Sequence, residues 1–208
     1  METKFTEQES LTLISEMIAQ ARQNLRKGSG NAMIFNGLLV SFLALANVAL
    51  AFTLPHPNQS FWVWCLTIPG VFVSKRIANR TMQQSLVKTH IDAIIGYVWL
   101  GFSCAIYTLL AVIFILGFGR KMWEVFHLIN PCIMLITGLA EFITAKVCRY
   151  KPYFFGAYIM WTGALLCTLV YWVTNEPIIA QFFILAVCMI TGFVIPGYRL
   201  NKKAEENV

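Results

Sequence analysis

Six apolar runs fill the sequence between a polar start and a polar tail, near residues 32–54, 58–74, 91–118, 124–145, 153–174 and 178–198. A helix needs about 20 such residues to cross a bilayer, and most of the runs reach that length. In hydrocarbon every backbone N–H and C=O must be satisfied by the chain itself, which leaves helices or closed barrels. The runs lack the period-two alternation of barrel strands, so helices are predicted. Composition agrees: 58% of residues are hydrophobic and 12% charged, against roughly 25% charged in a soluble domain. The second run is short and carries Pro69-Gly70. It is read as a span because a re-entrant element there would break the charge pattern around the basic loop 75–90.

Charge placement sets the expected topology. Lys4, Arg22, Arg26 and Lys27 precede the first run, and Lys75, Arg76, Arg80 and Lys88 follow the second. Lys146, Arg149 and Lys151 follow the fourth, and Arg199, Lys202 and Lys203 follow the sixth. The opposite side holds only Arg120 and Lys121. By the positive-inside rule both termini are cytosolic, and Trp62, Trp64, Trp123 and Trp172 fall at outer ends, where aromatic belts form. The same placement accounts for the net charge of +6 without nucleic acid as a partner. The expected fold is an all-α integral membrane protein, with six transmembrane helices arranged as three hairpins. A cytosolic amphipathic helix (1–30) precedes the membrane domain (31–198), and a cytosolic tail (199–208) follows it. The expected location is a bacterial inner membrane.

No cleavable signal peptide is expected, since the first 30 residues lack a basic start followed by an apolar core. Thr6 and Glu9 form a capping box. Acids (Glu7, Glu9, Glu16) precede bases (Arg22, Arg26, Lys27), as the helix dipole favours, and Gly28-Ser29-Gly30 ends the helix. Leu11, Ile14, Ile18, Ala21 and Leu25 share one face. That face has three readings: packing on the protein's own cytosolic side, lying on the anionic inner leaflet, or a short coiled coil with another chain.

Polar residues inside spans are the candidate functional positions, because burying them in lipid is costly. Asn36 and Asn47, eleven apart, lie on nearly one helical face and suit hydrogen bonding between helices or a polar pathway. Asn130 and Gln181 are further interhelix candidates. Asp92 sits at the start of the third run, where an acid is favoured and Lys88 is four residues away. Glu141 lies about 7.5 Å before Lys146 along one helix, but a five-residue step turns the two apart. Its partner is therefore expected on another helix. A polar cluster of Asn36, Asp92 and Glu141 with a basic residue is predicted near the cytosolic leaflet. Pro69, Pro131 and Pro196 interrupt the even-numbered runs and predict kinks.

Cys65, Cys104, Cys132, Cys167 and Cys188 lie in apolar runs and Cys148 in a basic loop, a pattern without a disulfide or metal framework. No HExxH, GxSxG, Walker or GxGxxG motif is present. His56, His90 and His127 lack ligand spacing. No cofactor, metal or enzymatic activity is expected.

The stretches "ESLTLISEMIAQARQNLRKGSGNAMIFNG", "NQSFWVW" and "VKTHIDAIIGYVW" resemble a family of small multi-span membrane proteins from Bacteroides-type gut bacteria. The resemblance covers most of the chain and implies six spans. It also implies a regulatory or envelope-stress setting, since family members sit beside winged-helix regulators. It names no reaction and brings no site residues. Two function classes remain. One is a non-enzymatic regulator or scaffold coupling the membrane to a cytosolic partner, with a closed bundle. The other is a small transporter or channel, expected to be a homo-oligomer, with a cavity lined by Asn36, Asn47 and Glu141.

Overall fold

The structure, a computed structural model, describes residues 12, 28–83, 90–174 and 176–206. The amphipathic helix of residues 1–30, with its stripe Leu11, Ile14, Ile18, Ala21 and Leu25, falls almost wholly outside them, as does Lys88. Every element among the described residues is helical. The chain runs through α1 (Asn31–Thr53), a 3-10 helix (Pro57–Leu66) leading into α2 (Thr67–Gln83), and α3 (His90–Phe114) with a π turn (Ile115–Gly119). A second 3-10 helix (Trp123–Leu128) leads into α4 (Ile129–Cys148), and α5 (Lys151–Val173) follows. The last span joins α6 (Pro177–Met189), a π turn (Ile190–Val194) and α7 (Ile195–Glu206).

Six helical stretches are long and apolar enough to cross a membrane: Asn31–Thr53, Gln59–Thr81, His90–Gly119, Trp123–Cys148, Lys151–Val173 and Pro177–Glu206. They match the six expected runs. Two boundaries differ. The second helix continues past residue 74 through Lys75, Arg76 and Arg80, and the sixth continues through Arg199, Lys202 and Lys203, so the expected tail is largely helical. Residues 75–83 and 198–206 carry Lys, Arg, Ala and other helix-compatible residues and no glycine or proline, so nothing stops the helix when the apolar run ends.

The prolines do not simply kink regular helices. Pro69, Pro131 and Pro196 each sit in the first turn of an α-helix that follows a differently wound segment: 3-10 before α2, 3-10 before α4 and π before α7. Proline offers no N–H and crowds the carbonyl four residues back, so an α ladder cannot run through it undisturbed. A change of winding just upstream relocates that carbonyl. α1 ends by a related rule: Leu54 is extended (ψ 144°) because it precedes Pro55.

The core lies among α1, α4, α5 and the last span, where Leu43, Ala44, Met134, Met160, Cys167 and Leu185 are buried. In the fourth span 50% of the apolar stretch is buried, against 6% in the second and 11% in the third. The second and third spans therefore flank a four-helix core. α2 packs on α1, and α3 packs on α4, with Trp99 also reaching Phe193 at a ring separation of 6.1 Å.

Backbones approach closely at two crossings. A Cβ on Gly30 would collide with the Gly197 carbonyl, and one on Gly156 would lie 2.5 Å from the Gly192 carbonyl oxygen. Small residues at such crossings are how apolar helices gain contact area without a hydrophobic driving force. The first crossing is also latched. The Gly30 N–H donates to Asn201 Oδ1 at 2.8 Å, Asn201 Nδ2 donates to Asn31 Oδ1 at 2.6 Å, and the Thr81 hydroxyl donates to the Gly28 carbonyl at 3.3 Å. The starts of α1 and the ends of α2 and α7 thus share one end of the bundle.

Gly30→Ala is expected to destabilise the protein by about 1–3 kcal/mol through overpacking against α7. Gly96→Ala on α3, where a Cβ meets nothing within 4 Å, is expected to be neutral or slightly stabilising. Thermal unfolding of the two variants in detergent, monitored by size-exclusion fluorescence, compares them directly.

Candidate functional site

Three of the expected interhelix amides, Asn36, Asn47 and Gln181, take hydrogen bonds across helices, while Asn47 Nδ2 is buried with no partner among the described residues. Asn36 Nδ2 donates to Ser74 Oγ at 2.8 Å. Asn47, 2% exposed, accepts from Ser60 Oγ at 3.4 Å. Both serines belong to the second span, so the shared face of Asn36 and Asn47 meets that span. Gln181 Nε2 donates to the carbonyls of His127 at 3.2 Å and Cys167 at 3.0 Å, joining the fourth, fifth and sixth spans. Asn130 is buried in the first turn of α4. The ring of His127 packs on Tyr171 at 5.0 Å, and Trp64 stacks on Phe182 at 5.6 Å. These contacts define the end of the bundle opposite the Gly28–Gly30 turn.

Glu141 is built differently. It lies on the inner face of α4 and is 1% exposed. Neither carboxylate oxygen has a hydrogen-bond partner among the described residues. Both oxygens face Gly156 of α5, where an added Cβ would lie 3.0 Å from each. The Gly192 carbonyl, on the π turn of the last span, faces the same spot. Tyr153, one turn before Gly156, brings its phenol within electrostatic reach of the carboxylate. Glycine at 156 makes this arrangement possible, since any side chain there would occupy the space of the carboxylate and the carbonyl.

Among the described residues, the expected cluster of Asn36, Asp92 and Glu141 is not joined by hydrogen bonds to Glu141. Asn36 is spent on Ser74. Asp92 lies at the start of α3, within electrostatic reach of Cys148, which is seven residues beyond Glu141 and about 10 Å further along the helix. Lys146 turns away as its spacing predicts. Its Nζ lies 5.3 Å from the centre of the Phe154 ring and 5.9 Å from that of Phe142. Among the described residues, what surrounds the carboxylate is backbone, at Gly156 and Gly192, and none of it donates a hydrogen bond to it. Those glycines, with Tyr153, Ser60 and Ser74, escaped the sequence reading. A glycine within an apolar helix was the one signal available for them.

A second feature lies on the end that carries the Gly28–Gly30 turn. Arg149, Lys151, Arg199, Lys202 and Lys203 line a surface cleft of about 490 Å³ with Tyr150, Pro152 and Glu206. Arg149 holds the left-handed conformation (φ 51°) that ends α4, and Lys203 Nζ lies 6.0 Å above the Tyr150 ring. Two basic flanks that are distant in sequence thereby meet. All described cysteines are free thiols, and no group of three His, Cys, Asp or Glu among the described residues has the geometry to hold a metal ion. No protein-family model, curated protein or solved structure matches the chain.

Gln181→Leu removes two interhelix hydrogen bonds and is expected to lower stability by about 0.6–1.7 kcal/mol, the range for such bonds in membrane bundles. Asn36→Leu, at a half-buried position with one bond, is expected to fall at the lower end. Unfolding of both in mixed micelles, followed by tryptophan fluorescence, checks the order.

Proposed function

We propose that the chain is a multi-pass protein of the bacterial inner membrane with both termini in the cytosol, and that it acts as a non-enzymatic regulator or scaffold for an acidic cytosolic partner. The observation that carries this reading is the basic cleft, in which Arg149 and Lys151 from one flank face Arg199, Lys202 and Lys203 from another. Bases gathered at one end of an apolar bundle favour a cytosolic orientation. Five bases around one cleft favour an acidic surface as the occupant.

Two further observations support the membrane setting. Large apolar side chains are exposed around the bundle, among them Phe42, Phe52, Leu100, Phe155, Leu165 and Leu169, on a scale that soluble monomers avoid. Trp62, Trp123 and Trp172 are also exposed, at the end opposite the bases, as an outer aromatic belt would be. The engaged amides Asn36, Asn47 and Gln181 support a closed bundle. A small transporter is the second reading. It is favoured by Glu141 alone, because an acid buried among spans without a donor is characteristic of ion pathways.

Alkaline phosphatase fused after Gln59 is expected to be active, and fusions after Lys151 or Glu206 inactive; the reverse pattern would overturn the topology. Affinity capture of the full-length protein from membranes is expected to retain an acidic cytosolic protein. Arg199→Glu with Lys202→Glu is expected to reduce that capture at least tenfold. Equal capture by the variant counts against the partner reading.

A further inference from the structure

We propose that Glu141 and the Gly192 carbonyl form a binding site for a monovalent cation, H⁺ or Na⁺. The two carboxylate oxygens are buried without a donor among the described residues, and the group that shares their space at Gly156 is another acceptor, the Gly192 carbonyl. Acceptors crowded together in a low-dielectric interior repel one another unless positive charge lies between them. A carboxylate beside an irregularly wound stretch of helix is also the donor set that membrane proteins use for Na⁺ and H⁺.

The π turn supplies the second, independent element. Pro196 has no N–H, so the carbonyl of Gly192, four residues earlier, lacks the donor that an α-helix would give it. That carbonyl is the one turned toward Gly156 and the carboxylate.

The charged surroundings leave the cation's place open. On α4, Lys146 is held over the Phe142 and Phe154 rings, and Cys148 lies two turns on. From α5 the facing titratable group is Tyr153. The π turn of the last span, "ITGFV", carries none. From α3 the nearest charged group is Asp92, an acid beside Cys148. No fixed cation among these meets the Glu141 charge. A proton would let Glu141 donate to the carbonyl, and Na⁺ would take the same oxygens as ligands. Either way the cation ties α4 to the last span at its π turn, across Gly156 of α5. Binding is distinct from transport, so the site stands even where no ion crosses.

Full-length protein in lipid nanodiscs tests this without a gradient. Replacing choline chloride by NaCl at fixed ionic strength and pH is expected to raise Tm by about 5 °C if Na⁺ is the ligand. If H⁺ is the ligand, Tm in choline is expected to fall as pH rises, because the native state holds a proton that the unfolded chain releases. In either case Glu141→Gln is expected to abolish the dependence. Infrared difference spectra of the native chain, taken across the same change of Na⁺ or pH, are expected to show one carboxyl band changing. This reading does not require the variant to fold. Indifference of the native chain in both Tm and infrared spectra overturns the site, as does a folded Glu141→Gln that keeps the native dependence.

Discussion

A helix that contains proline cannot close every rung of its own hydrogen-bond ladder, and in apolar surroundings the missing rung cannot be left to water. The bundle meets this constraint three times, always by changing the winding just before the proline. At Pro69 and Pro131 the tighter 3-10 segment comes first, and the α-helix begins at the junction. At Pro196 the wider π turn comes first and lies inside the core, with Gly192 and Phe193 buried. Placing that turn in the core has consequences for its neighbours. Gly37 of α1 fits against Phe193 and Val194, and Gly156 of α5 fits against the Gly192 carbonyl. α1 and α5 are the core helices that pack directly on this turn.

The architecture was legible because length and hydropathy are properties of a whole run. Six apolar stretches predict six helices whatever their neighbours do, and six are found. Helix ends were less legible. The runs were bounded where apolar residues stop, whereas a helix stops where its backbone is blocked. Leu54 before Pro55 provides a block, while Lys75 and Arg199 provide none. The prolines were visible, but their effect on winding was not, because it depends on where the displaced carbonyl finds room.

The polar residues divide by the kind of partner each required. Asn36 and Asn47 share a face, and helical geometry alone predicts that they meet one neighbour. Their partners, Ser74 and Ser60, lie on the second span, and short hydroxyl side chains in an apolar run draw little notice. Spacing also excluded Lys146 as a partner for Glu141, correctly, because five residues on a helix is a fixed rotation. What surrounds Glu141 among the described residues is not readable from side-chain spacing. A side chain can be surrounded by backbone, and glycine is the residue that lets backbone come so near. Gly156 and Gly192 lie fifteen and fifty-one residues beyond Glu141, and no periodic pattern connects them.

Polar groups are used in opposite ways along the length of the bundle. At the end marked by Trp64, His127 and Gln181, amides and rings meet across four spans, and Gln181 donates to the carbonyls of Cys167 and of His127, the latter four residues before Pro131 and so without an α-helical donor. At the other end the bases stand around an open cleft, apart from those held over rings. Glu141 lies on α4 seven residues before the close of that helix at Cys148, nearer the basic end than the locked one. The helix it sits on passes through Arg149 into α5, and the π turn it faces leads through Pro196 into α7 and Lys202. The carboxylate and the walls of the cleft therefore share the same two elements. One connection is the turn at Arg149 and Tyr150, where α4 has ended, and the other is helical from the π turn through Pro196. The acid and the basic surface are thus joined through the least regular parts of both elements.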